Sequence, residues 1–346
     1  MTWSWVRTGV GFLRAALDGT PDSARESRAR VTPLPRPLRS VAVIGLAAAL
    51  GFPLMDARAD SAGSLPHLAE LRREVSTARG PSVYVAIRKV WSEWDRGDPT
   101  AVEETLHDIA ADATETPAAR AYAGLLEAYA QRRRGDLDGA RERIARLGYV
   151  GQWMLLGPFD NDGKAGLRST YDPETEQERP LDLTRDYDGK SHKLVRWRLL
   201  PAVSPYAWVD FGSFVRPEEQ ACVYAEAFVR DPRVKGVASR PVSVWAGAAG
   251  ALRVFWNGAE ILRDEKYRAL DSDRFAATAT LRAGWNRITA KVCGDDHAPM
   301  LSLRVAGPDG SPDEHIEAAA DPRHSTAQGG AVAPLGKGVR PPPSRV

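Results

Sequence analysis

At Gly151 the hydrophobic period of this chain changes, and that change restricts its fold more than any other feature. Before it, apolar residues recur every three or four positions. After it, short apolar or alternating runs are separated by Gly, Pro, Asp and Asn. Residues 65 to 150 therefore read as helices and residues 151 to 310 as antiparallel strands. The expected fold class is multidomain, α then β: a short helical hairpin domain followed by an antiparallel β-sandwich or jelly roll.

In the helical part, Leu65, Leu68 and Leu71 open an amphipathic stretch. Tyr84, Ile87, Val90, Trp91 and Trp94 form the next apolar face. Pro99 and Pro117 suit first-turn positions of two further helices. A last helix carries Leu137, Ala140, Ile144 and Leu147. Arg96-Gly97-Asp98 and Arg134-Gly135-Asp136 read as similar turns. Gly supplies a left-handed helix end, and Asp caps the next helix. That chemistry accounts for both Arg-Gly-Asp triplets without an adhesion role. The segment Gly135-Asp136-Leu137-Asp138-Gly139-Ala140 resembles the inter-helix turn of a tetratricopeptide repeat. The repeat spacing exceeds the usual ~34 residues and the first-helix signature is missing. So short a stack needs another surface to cover its open face, and the sandwich is the candidate.

The predicted strands are Trp153–Leu156, Leu194–Leu200, Ala207–Phe211, Cys222–Val229, Val242–Trp245, Leu252–Trp256, Glu260–Leu262, Phe275–Leu281, Asn286–Cys293 and Leu301–Val305. Asn257-Gly258 between two apolar runs is a strong hairpin signal, since a tight turn needs positive φ at both central residues.

Trp256-Asn257-Gly258, Asp271-Ser272-Asp273-Arg274, Ala283-Gly284-Trp285-Asn286-Arg287 and Lys291-Val292 occur in that order. With Trp153-Met154-Leu155-Leu156-Gly157-Pro158-Phe159-Asp160 before them, they resemble the galactose-binding-like sandwich of bacterial exported proteins, which is similar in outline to carbohydrate-binding modules. The resemblance implies the fold over about residues 150 to 310. The motifs mark turns and packing positions, so it implies no ligand.

The segment Val41–Met55 is apolar, follows Arg36 and Arg39, and precedes Ala57-Arg58-Ala59. Basic flank, short apolar core and small-x-small site together read as a secretory signal near residues 36–59, shorter than a membrane span. About 35 residues precede Arg36. Either an upstream start is not used, or the extension is real and the run is an uncleaved anchor. The expected place is periplasmic or extracellular, with membrane contact only through this segment. The expected domains are 1–60 (extension plus signal), 65–150, 151–310, and a disordered tail over 311–346, rich in Ala, Gly, Pro and Arg towards its end.

A net charge of +2 over 346 residues argues against a nucleic-acid binder. No His-x-x-x-His, Cys-x-x-Cys, phosphate loop or Gly-x-Ser-x-Gly occurs, so neither zinc nor a catalytic residue is identified and no enzyme is expected. Asp160-Asn161-Asp162-Gly163 lacks the spacing of a calcium hand and reads as a surface turn. Asp271, Asp273, Asp295 and Asp296 are the candidates for a structural calcium, the one cofactor considered. Alternation puts Trp256 and Trp197 on core faces and leaves Trp208 and Trp245 as candidate ligand-binding rings near a sandwich rim. Cys222 and Cys293 both alternate away from the inner face. Neighbouring strands would allow a disulfide, and separated strands would leave two thiols. Two functions compete: a binding or scaffold protein with a protein partner, and a carbohydrate-binding accessory module recognising a cell-envelope glycan.

Overall fold

The computed structural model describes residues 61–201 and 204–327. The apolar run, its flanks and the last residues of the tail lie outside them.

The helices are α1 (Ser61–Thr77), α2 (Ser82–Ser92), α3 (Pro99–Ala111), α4 (Pro117–Arg133), α5 (Leu137–Arg146) and a single turn, α6 (Asp172–Thr175). The capping chemistry is local. Asp98 accepts from Thr100 N–H, Thr116 from Ala119 N–H and Asp136 from Gly139 N–H, each satisfying a free first-turn donor. The two Arg-Gly-Asp turns differ at their glycines. Gly135 is left-handed at φ 91°, as expected, whereas Gly97 is not among the positive-φ residues. A 3₁₀ turn over Glu93–Asp95 ends α2 instead, and Gly97 N–H bonds the Glu93 carbonyl.

The strands are β1 (Met154–Asp160), β2 (Tyr187–Asp188), β3 (Leu194–Val195), β4 (Arg198–Leu199), β5 (Val209–Asp210), β6 (Ala221–Arg230), β7 (Ser239–Trp256), β8 (Ala259–Arg268), β9 (Phe275–Arg282), β10 (Asn286–Cys293), β11 (Met300–Ala306) and β12 (Glu317–Ala319). Ten of them form one antiparallel sheet, and β2 pairs only with β3. The runs 242–245 and 252–256, expected as two strands, are one strand of 18 residues. The first half of β7 pairs with β9 and β11, and its second half with β8 and β10. It thus belongs to both layers of a sandwich. Gly250, at φ 106°, marks the crossing.

The inner faces meet in one apolar core. Val223, Ala225, Ala227 and Val229 of β6, Ile288, Ala290 and Val292 of β10, and Leu252, Val254 and Trp256 of β7 come from one layer. Val242, Val244, Ala246, Leu301, Leu303 and Val305 come from the other. Both outer faces are covered as well. The helices cover the face formed by β11 and the first half of β7, so that Trp245 and Ala306 belong to the helical core. Residues 160–200, with the tail, cover the opposite face over Met154, Leu156, Tyr224 and the two cysteines. Between helices and sandwich, Val150 N–H bonds Leu303 C=O and Val305 N–H bonds Gly148 C=O, so the connection itself adds to the sheet.

Three expectations are corrected. The tail does not dissolve at Ser311: β12 pairs with β6, and His324 stacks on Trp285 at 4.0 Å between ring centroids. The run 194–200 is not one strand but the separate β3 and β4, with Trp197 buried between them. Asn161, in the expected surface turn, is fully buried and bonds Gly294 C=O at 2.7 Å.

Cys222 and Cys293 lie directly opposite in the β6–β10 register and are joined in a buried disulfide, Cα atoms 4.0 Å apart. Outward alternation from adjacent strands places the two Sγ atoms on the same side of the sheet.

A cleft between the helices and the sandwich

The β8–β9 loop is held by its buried residue. Asp273 accepts from Arg304 Nε at 2.7 Å and from the Tyr149 hydroxyl at 2.8 Å, and all three residues are buried. Burial, reinforced by the Asp273 carboxylate, pushes the Tyr149 phenol well up, so it remains a donor. Gly247 lets the loop lie on the sheet, because a Cβ there would overlap the Asp271 carbonyl oxygen. Fixed this way, the loop presents Asp271, Ser272 and Arg274 towards α2 and α4.

There they line a cleft of about 590 Å³. Arg88 and Trp91 come from α2, Tyr122 and Tyr129 from α4, Trp208 from the segment before β5, and Arg268 from the end of β8. The rings form a chain. Trp94 to Trp91 is 5.5 Å between centroids, Trp91 to Tyr129 6.4 Å, Tyr129 to Trp208 5.7 Å, and Trp208 to Tyr206 4.9 Å. Arg133 lies over Trp91 at 4.6 Å and Arg132 over Tyr206 at 4.4 Å, within cation–π range. Burial pushes the Tyr129 phenol up, and its hydroxyl sits 3.5 Å from Ser272 Oγ. The cationic side is built round one carboxylate. Arg88 donates to Asp271 at 2.7 Å and Arg274 at 3.2 Å. Arg268 bonds Asp264 through Nε. Arg274 Nε is buried without a hydrogen-bond partner among the described residues.

Of the two rings singled out from the sequence, only Trp208 lines this cleft. Trp245 is fully buried beneath the helices, its Nε1 donating to Ser243 Oγ at 3.0 Å, so the rim assignment is corrected. Alternation placed it correctly on an outer face, but not beneath a second layer. Three of the four carboxylates considered for calcium have cationic or hydroxyl partners. Asp271 is engaged by Arg88 and Arg274, Asp273 by Arg304 and Tyr149, and Asp295 by Lys164 at 2.7 Å. No group of three or more His, Cys, Asp or Glu converges among the described residues.

Sequence reasoning missed Arg88, Trp91, Tyr129, Arg268 and Arg274 as cleft residues. Trp91 and Tyr129 read as ordinary core faces of helices, and they do pack there. The Asp271-Ser272-Asp273-Arg274 segment, read from the sequence as a fold motif and a source of carboxylates, supplies part of the lining.

No family model matches the chain, and no curated protein does. Solved structures do. An anti-sigma factor domain-containing protein from Clostridium clariflavum is 13% identical, with 48% of this chain and 47% of that one covered, at a TM-score of 0.27. A PA14 sugar-binding domain from an RTX adhesin is 10% identical, covering 49% of this chain and 96% of that one, at 0.26. The PA14 domain of the MpAFP antifreeze protein is 9% identical, covering 50% and 72%, at 0.24. The chain spans less than half the length of the anti-sigma factor protein.

Proposed function

We propose that this chain is an exported, non-catalytic recognition module whose helices and sandwich form one binding unit. The observation that carries this reading is the cleft, which neither layer forms alone: it joins the half-buried rings of Trp91, Tyr129 and Trp208 to three guanidinium groups. Half-exposed aromatics beside oriented donors are the composition of a binding surface. Asp271 is the one carboxylate of the lining among the described residues, and two arginines hold it. Glycoside hydrolysis needs a second carboxylate across the cleft.

Export is supported by the disulfide, which belongs to oxidising compartments, and by the signal-like segment at 36–59. N-terminal sequencing of the protein from its native host tests it: a mature end near Asp60 agrees, and an intact Met1 in the cytosolic fraction contradicts.

The recognition reading is tested by screening the full chain on glycan and peptide arrays beside Trp208→Ala and Arg274→Gln. A reproducible ligand lost by both variants, and released unaltered, supports it. A ligand retained by both, or converted to product, overturns it.

A further inference from the structure

The two sides of the cleft ask different things of a ligand, and together they specify its chemistry. α2, α4 and Trp208 supply rings, whose faces and edges favour apolar C–H surface. The β8–β9 loop supplies Arg268 and Arg274, and Arg88 crosses from α2 to the same Asp271. Three guanidinium groups against Asp271, with Asp264 paired to Arg268, leave this side with one positive charge in excess. The Arg268 bond to Asp264 uses Nε, and the Arg274 bond to Asp271 uses a terminal nitrogen while its buried Nε goes unsatisfied among the described residues. Each guanidinium has five N–H donors, so both retain capacity for a planar anion such as a carboxylate, which arginine binds in a fork.

From this complementarity we propose that the cleft binds a hexuronate-containing saccharide, a deepening that rests on the recognition reading above. A hexuronate carries a C–H face and a carboxylate on one rigid ring, so one sugar unit reaches both sides at once. In an acidic peptide the apolar and anionic groups sit on separate, flexible side chains, and ordering them costs more. A volume of about 590 Å³ falls within the range of small-ligand sites and suits a short oligosaccharide rather than a polymer helix or a folded partner.

The test is calorimetric titration of the full chain with trigalacturonate, and with di- or trisaccharides containing glucuronate or mannuronate. Maltotriose is the neutral control, and triglutamate and a sulfated disaccharide are the competing anions. At least one uronate binds, maltotriose does not, and binding weakens about tenfold between low and high salt as the anion is screened. Arg274→Gln and Trp208→Ala each lower the affinity by about tenfold or more, the loss of one charge-assisted or aromatic contact. Arg268→Gln, at a partly exposed position, does the same in a chain whose melting temperature is unchanged. If triglutamate, the sulfated sugar or maltotriose binds instead, and Trp208→Ala abolishes it, the ligand class is wrong and the recognition reading stands. If a uronate binds equally to all three variants, the cleft is not the site and both readings fall. Absence of uronate binding at millimolar concentration overturns the proposal.

Discussion

The sandwich has two outer faces, and they are covered in opposite ways. Over β11 and the first half of β7 lies a layer of helices. Over β1, β6 and β10 lie the mostly irregular residues 160–200 and the tail. Helices satisfy their own backbone groups, so the sheet beneath them carries few charged groups, with the Arg304–Asp273–Tyr149 set and the hydroxyls of Ser243 and Ser302 among its buried polar residues. Irregular chain brings carbonyls that need donors. On that face the sheet supplies them: Lys291 Nζ bonds Ser169 C=O at 2.6 Å, and Arg287 bonds the carbonyls of Gln177 and Arg179 at 2.7 and 2.8 Å. Their charges are matched by Glu174 and Glu226 respectively. Burial holds the Lys291 ammonium down to about 8, against the pull of Glu174. The type of cover thus dictates which residues the sheet presents. The cleft lies at the edge of the helix-covered side.

That contrast can be broken by substitution. Replacing both cysteines by Ala releases a cross-link between residues 71 apart and costs roughly 4 kcal/mol, read as a lower denaturant midpoint. Arg287→Met leaves Glu226 buried and two loop carbonyls without their donor, a loss of about 3 kcal/mol. Proteolysis then cuts within 160–200 while the helices stay protected. Equal exposure of both covers would contradict the distinction. Tyr149→Phe removes one hydrogen bond to Asp273 and costs about 1–2 kcal/mol, measured by chemical denaturation.

The smallest effect concerns the tail. Burial holds the His324 imidazole below its ordinary value, against the pull of Asp321, with Arg230 and Arg323 adding to the lowering. The unfolded chain therefore takes up this proton at higher pH than the folded one. Tail docking is complete above the ordinary histidine value and weakens as pH falls through the lower folded one. Hydrogen-exchange protection factors at residues 317–325, corrected for the intrinsic pH dependence, should fall between pH 7 and 5 in the wild type. A His324→Phe variant should lose that dependence, and protection that is flat with pH in the wild type would remove the tail from the account.

Much of this architecture was legible in the sequence. The change of period at Gly151, the Asn257-Gly258 turn and the outward alternation of Cys222 and Cys293 are local signals, and the structure has the helices, hairpin and disulfide at those residues. What was not legible depends on layers meeting. Trp245 and Trp208 look equally available in one dimension. One lies under the helices and the other at their edge. Asp271 reads as a candidate metal ligand, and nothing local shows that Arg88, 183 positions away in sequence, stands beside it. The continuity of β7 was hidden by Gly247, Ala248, Ala249 and Gly250, which look like a turn but carry the strand from one layer to the other.

The most direct test of the account is a two-dimensional NMR titration of the ¹⁵N-tryptophan-labelled full chain with trigalacturonate, following the indole N–H signals. The account predicts that Trp208 and Trp91 shift with one binding curve, while Trp153 and Trp256, buried in the sandwich, stay in place. A saturating response confined to other tryptophans, or none at all when the saccharide binds, would contradict it.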